Sequence, residues 1–110
     1  MVGSEGEATG ERVSRPLILR PEAEEDVAAA YHWYEERSPG LGAEFLRAVE
    51  AGLASIERNP EGYQELYKHA RRALLRRFPY ALFYVVSPEL IEVIGCIHTR
   101  RHPRQWRSRL

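Results

Sequence analysis

The stretch RRALLRRFPYALFYVVSPELIEVIGCI, residues 71–97, decides the fold. It holds three strand candidates: RRALLRRF at 71–78, apolar in the middle and basic at both ends, then YALFYVV at 80–86 and LIEVIGCI at 90–97, both rich in aromatic or β-branched residues. Blocks of this length and composition are strands. The tripeptide SPE, 87–89, is a tight connection, and strands joined so closely pair antiparallel. The C-terminal part of the chain is therefore an antiparallel meander.

Upstream, PLIL at 16–19 is a short strand closed by Pro21. The following segment, EAEEDVAAAYHWYEERS, places Ala23, Val27, Ala30, Tyr31 and Tyr34 at helical spacing. Its first turn is acidic, which the helix dipole favours, and Pro21 is tolerated at a helix start. SPG at 38–40 breaks this helix. A second one carries Phe45, Leu46, Val49, Leu53 and Ile56 on one stripe, with Gly52 giving up helix propensity for close packing, and NPEG at 59–62 ends it. The order is β-α-α-β-β-β. We expect an α+β fold in which an antiparallel sheet carries a two-helix hairpin on one face. The domain spans 16–110, after a flexible extension over 1–15 with no apolar period.

A chain of 110 residues with 44% hydrophobic residues suits one modest core. The lone cysteine, Cys96, excludes an internal disulfide and favours a reducing, cytoplasmic setting. No secretory leader is visible, and the longest apolar run is too short to cross a bilayer. The zero net charge hides a division. Residues 1–67 hold 14 Asp/Glu against 6 Lys/Arg, and residues 68–110 hold 2 against 10. The basic half suits an anionic partner, unless the two halves neutralise each other on folding.

Phosphate loops, CxxC, HExxH and nucleophile elbows are absent. His98 and His102 lack a nearby carboxylate or thiol to complete a metal site, so we expect neither metal nor cofactor. His32 lies off the stripe of the first helix and reads as a surface residue. Tyr31, Tyr34, Phe45 and Cys96 read as core. In a strand over 71–78, Arg72 and Arg76 would share one face, with Arg71 and Arg77 on the other. These arginines suit bidentate contact with phosphate or carboxylate, and equally well a charged edge strand that resists aggregation. The closing segment, HTRRHPRQW at 98–106, gathers Arg100, Arg101 and Arg104 with His98, His102 and Trp106. Histidines and arginines could serve acid–base chemistry on RNA, and tryptophan could stack on a base.

The element order together with RNPEGY, RRFPYALFYVV and IHTRRHPRQW resembles the RelE/ParE superfamily, the toxins of type II toxin–antitoxin modules often called plasmid stabilisation proteins. The resemblance spans about residues 16–107 and implies bacterial growth arrest, neutralised by a cognate antitoxin protein. It implies two activities. RelE-like members cleave mRNA on the ribosome, whereas ParE-like members poison DNA gyrase without a nuclease site. RelE-like nucleases carry an arginine directly after the aromatic that opens the third strand; here Ala81 follows Tyr80. Their arginine after the last strand is matched by Arg100, and a lysine of the second strand by Arg72. Their C-terminal tyrosine is replaced by Trp106, which has no hydroxyl.

The departures at Ala81 and Trp106 make ParE-like target binding the leading expectation, with Arg76, Arg77, Arg100, Arg101, Arg104 and Trp106 as the contact set. The alternative is a nuclease using Arg72, His98, Arg100 and His102. A third reading is an inactive relative that only binds an antitoxin.

Overall fold

The structure, a computed structural model, describes residues 15–110. The extension expected over 1–15 lies outside the described residues except for Arg15. The elements run β1 (Leu17–Leu19), α1 (Pro21–Arg37), α2 (Leu41–Arg58), β2 (Glu65–Tyr67), β3 (Ala70–Leu74), β4 (Tyr80–Val86), β5 (Ile91–His98) and the short α3 (Arg104–Arg107). Five strands form one sheet in the order β1-β5-β4-β3-β2. The expected α+β architecture is present: β3, β4 and β5 form the antiparallel meander, and α1 and α2 form the hairpin.

Three details depart from the sequence reading. The sheet is mixed, because β1 reaches β5 through both helices and three further strands and runs parallel to it, pairing Leu17 with Ile91 and Leu19 with Val93. An extra strand, β2, pairs with β3 through the two-residue Lys68–His69 turn, both residues left-handed at φ 49° and 68°. The strand expected over 71–78 is confined to 70–74. Arg76 and Arg77 lie in the turn beyond it, with Arg77 at φ 70°, so they share no strand face with Arg71 or Arg72.

Alternation along the meander divides the core. Ala73, Leu82, Tyr84, Ile91, Val93 and Cys96 face the helices and meet Ala23, Ala30, Phe45, Val49 and Ile56. Ala70, Ala81, Phe83, Ile94 and Ile97 face the opposite side, where Trp106 covers them. Tyr34 stands beside Phe45 and Phe78 at ring separations of 5.4 and 4.9 Å, so Tyr34 and Phe45 are packing residues, whereas Trp33 is exposed. His32 is exposed, as its place off the stripe implied. Cys96 is buried, and burial pushes its thiol up to about 12, away from any thiolate chemistry.

The hairpin turn is held by one carboxylate. Glu35 accepts hydrogen bonds from the backbone N–H of Gly40 and of Gly42, both at 2.9 Å, at the N-terminus of α2. These are donors that no helical carbonyl serves, and the dipole there favours an anion. Gly42 also lets the helices meet: a Cβ at this position would lie 2.8 Å from the Tyr31 ring and from the Tyr31 carbonyl. Tyr84 fixes the other end of α2 by donating its hydroxyl to the Pro60 carbonyl at 2.6 Å.

Gly42→Ala is expected to destabilise the protein by about 1–3 kcal/mol, because helix backbone must shift and the gain in propensity is at most about 1 kcal/mol. Urea denaturation monitored by far-ultraviolet circular dichroism measures this; an unchanged or raised midpoint would contradict the close approach.

Candidate functional site at the basic end of the sheet

The site lies where β4 begins and β5 ends. Tyr80 pairs with His98 across these strands, and their rings meet edge to face at 5.2 Å. The Thr99 amide donates to the Pro79 carbonyl, which joins the β3–β4 turn carrying Arg76 and Arg77 to the segment that carries Arg100 and Arg101. Most of the arginines singled out in the sequence therefore gather at one end of the sheet. They do not form one cluster of equals. Arg77 pairs with Glu44 of α2 at 2.9 Å. Arg76, Arg100, Arg101 and Arg104 are exposed, and none has an ion-pair partner among the described residues.

Two grooves flank the segment. One runs between α1 and the end of β5, with Trp33, Tyr34 and Tyr80 in its wall. The other crosses the face of the sheet away from the helices and is lined by Leu66, Arg72, Phe83, Trp106 and Arg107 among others. His98 and Arg101 line both grooves and form the ridge between them.

The four nuclease candidates are only half assembled. Arg72 and His98 border the open-face groove, while Arg100 and His102 lie outside its lining. Both histidines also serve the local backbone. His98 Nδ1 accepts from the Arg100 amide and His102 Nδ1 from the Arg104 amide, each at 3.0 Å, leaving only Nε2 of each ring free for other work.

Trp106 corrects a second expectation. It is not an exposed stacking platform: it is 6% exposed and lies parallel to Phe83 at 4.7 Å between ring centres. The tail can do this because Pro103 caps the start of α3. The single turn of α3 then aims Trp106 at the sheet.

What holds the tail in place has no local signature among its residues. β5 carries a bulge at Ile94, so that Phe83 pairs with Gly95 while Tyr84 pairs with Val93. Because β1 covers β5 only as far as Val93, the strand edge beyond the bulge has no neighbouring strand among the described residues. Arg109 and Asp26 fill that place. Arg109 donates to Asp26 Oδ2 at 2.6 Å, to Asp26 Oδ1 at 3.2 Å and to the Ile94 carbonyl at 3.0 Å. Asp26 in turn accepts the Cys96 amide at 3.0 Å. A Cβ on Gly95 would lie 2.8 Å from the Arg109 guanidinium, so the approach needs glycine there.

Arg20 completes the network by donating to the Arg109 carbonyl at 2.7 Å and to Glu92 at 2.8 Å. The hydrogen bond from Arg20 holds the Glu92 carboxyl below its ordinary range. The pair therefore contributes stability above that range and loses it as pH falls.

Trp106→Ala is expected to destabilise the protein by about 3–5 kcal/mol, the usual cost of deleting a buried aromatic side chain. Thermal or urea denaturation checks this; a loss within the noise of a surface substitution would show that Trp106 does not anchor the tail.

Comparison with known proteins agrees with this geometry. Residues 17–103 match the family described as "ParE toxin of type II toxin-antitoxin system, parDE". Toxin ParE2 of Mycobacterium tuberculosis strain H37Rv is 26% identical over 92 residues, which cover 83% of this chain and 88% of that protein. Toxin ParE2 of strain CDC 1551 gives the same figures, 26% over 92 residues. Among solved structures, a chain of the chromosomal ParDE TA system from P. aeruginosa shares the fold, with a TM-score of 0.69 at 16% identity over 77% of this chain and 96% of that one. The chain belongs to the ParE toxin family of type II toxin–antitoxin systems.

Proposed function

We propose that this toxin arrests bacterial growth by binding DNA gyrase in the cytoplasm, without chemistry of its own, and that a cognate antitoxin neutralises it. The observation that carries the reading is the state of the nuclease positions. Ala81, where RelE-like nucleases have an arginine, is fully buried beneath Trp106, and Trp106 stands where they have a tyrosine. Neither a cation for a phosphorane nor a phenolic proton is supplied there. Membership of the ParE family supports the same choice.

We assign target contact to the exposed cations Arg76, Arg100, Arg101 and Arg104. Arg77 contributes less because Glu44 already engages it, and Trp106 acts from beneath as a support. The basic half also suits a partner with acidic segments, which is the character we assign to the antitoxin.

The test is a supercoiling and cleavage-complex assay with purified gyrase. The toxin is expected to inhibit supercoiling, and Arg100→Ala combined with Arg104→Ala to raise the required concentration about tenfold, equivalent to ~1.4 kcal/mol. No effect of the wild-type toxin at any concentration would overturn the gyrase reading. So would cleavage of ribosome-bound message, seen by primer extension and abolished by Arg72→Ala.

A further inference from the structure

The sheet face away from the helices carries a row of cations that the assignment above does not use in full. Arg71 and Arg72 are adjacent in β3 but have opposite fates. Arg71 turns to the helix side, pairs with Glu65 and donates to the carbonyls of Glu61 and Tyr63. Arg72 turns to the open face, is exposed and has no ion-pair partner among the described residues. It shares its groove with Arg101 and Arg107. The Arg107 guanidinium lies 4.5 Å over the Tyr67 ring, and Lys68 Nζ lies 5.5 Å from the same ring. Lys68, Arg107, Arg72 and Arg101 thus cross the face together. None of the four forms an ion pair among the described residues, whereas Arg15, Arg20, Arg71, Arg77 and Arg109 all do.

Like charges gathered without counterions raise the local potential and attract a polyanion. Arginine is the side chain best fitted to phosphate. The rings on this face decide which nucleic acid fits. Single strands are gripped by stacking bases on free aromatic rings. Here Trp106 is stacked on Phe83, and Tyr67 has cations against its ring. Tyr67 is 37% exposed, but Arg107 already lies over its ring, so the face offers more charge than stacking surface, which matches the backbone of a duplex.

We propose that the toxin binds double-stranded DNA directly, through phosphate contacts of Lys68, Arg72, Arg101 and Arg107 and without sequence preference. The inference deepens the gyrase reading, in which the target itself holds duplex DNA. It is measured without gyrase, so the two readings fail separately.

The experiment is fluorescence anisotropy of the full-length toxin with an unrelated-sequence DNA duplex of about 20 base pairs, over a series of salt concentrations. The expected dissociation constant is about 10⁻⁴ to 10⁻⁶ M at physiological salt, with a slope of log affinity against log salt of about −3 to −4. Arg72→Ala and Lys68→Ala should each reduce the slope by about 1 and weaken binding equally on a second sequence. Arg47→Ala, an exposed change on α2, should leave both unchanged. Circular dichroism confirms that each variant is folded. Absence of salt-dependent binding overturns the proposal, as does a single strand of equal length binding more tightly than the duplex. An Arg47→Ala loss equal to that of Arg72→Ala also overturns it.

Discussion

The ion pair between Asp26 and Arg109 is the contact on which the functional end of this molecule depends. It joins three parts of the chain that are far apart in sequence: the first turns of α1, the bulge in β5 and the C-terminal tail. A strand edge without a neighbour leaves amide and carbonyl groups to be satisfied. β1 is only three residues long and serves β5 no further than Val93. Beyond that point a carboxylate takes the Cys96 amide and a guanidinium takes the Ile94 carbonyl. The side chains are 20% and 19% exposed, so the pair is partly withdrawn from water, and its bidentate geometry places it among the stronger kinds of ion pair. By occupying the edge it also blocks an unwanted strand from pairing there.

With residue 109 fixed, the path back to His98 is short. Pro103 starts a helical turn within it, and Trp106 falls on Phe83. The same placement seals Ala81 and brings Arg107 over Tyr67. The tail is thus a lid of cations nailed down by one buried ring, with arginines displayed on both sides of a ridge at His98 and Arg101. The charge division along the chain acquires a spatial meaning. Several basic residues are neutralised by acidic ones on folding, namely Arg77 by Glu44, Arg109 by Asp26 and Arg71 by Glu65. What remains unpaired among the described residues at this end is the set exposed around the tail.

Much of the fold was legible because its signals are local. YALFYVV is a strand over its whole length, and the helix hairpin is bounded where SPG and NPEG break it. The features that escaped are non-local or lack a sequence signature. β2 is three exposed residues reached through a left-handed Lys68–His69 turn, which bears none of the Asn-Gly or Asp-Gly signals of such turns. Parallel pairing of β1 depends on where the helices return the chain, which periodicity does not report. Arg76 and Arg77 continue the basic pattern of β3, yet the chain has already turned. At the site, the gathering of arginines was readable from composition, but their separation into paired and unpaired was not. Trp106 illustrates the limit: a tryptophan among arginines reads equally as a stacking ring or as an anchor, and only the position of Phe83 across the sheet decides. Gly95 could have hinted at the close approach of Arg109, since an isolated glycine in a strand marks a bulge or a neighbouring group.

Arg109, through Asp26, holds the C-terminal tail on the sheet. Native-state amide hydrogen exchange on the wild type and on Arg109→Ala tests it most directly, since exchange reports local opening separately from global unfolding. The variant is expected to lose protection at the Cys96 amide and through α3, while the helix hairpin and the β3–β4 amides keep theirs. Unchanged protection of the tail, or a uniform fall across all elements, would contradict it.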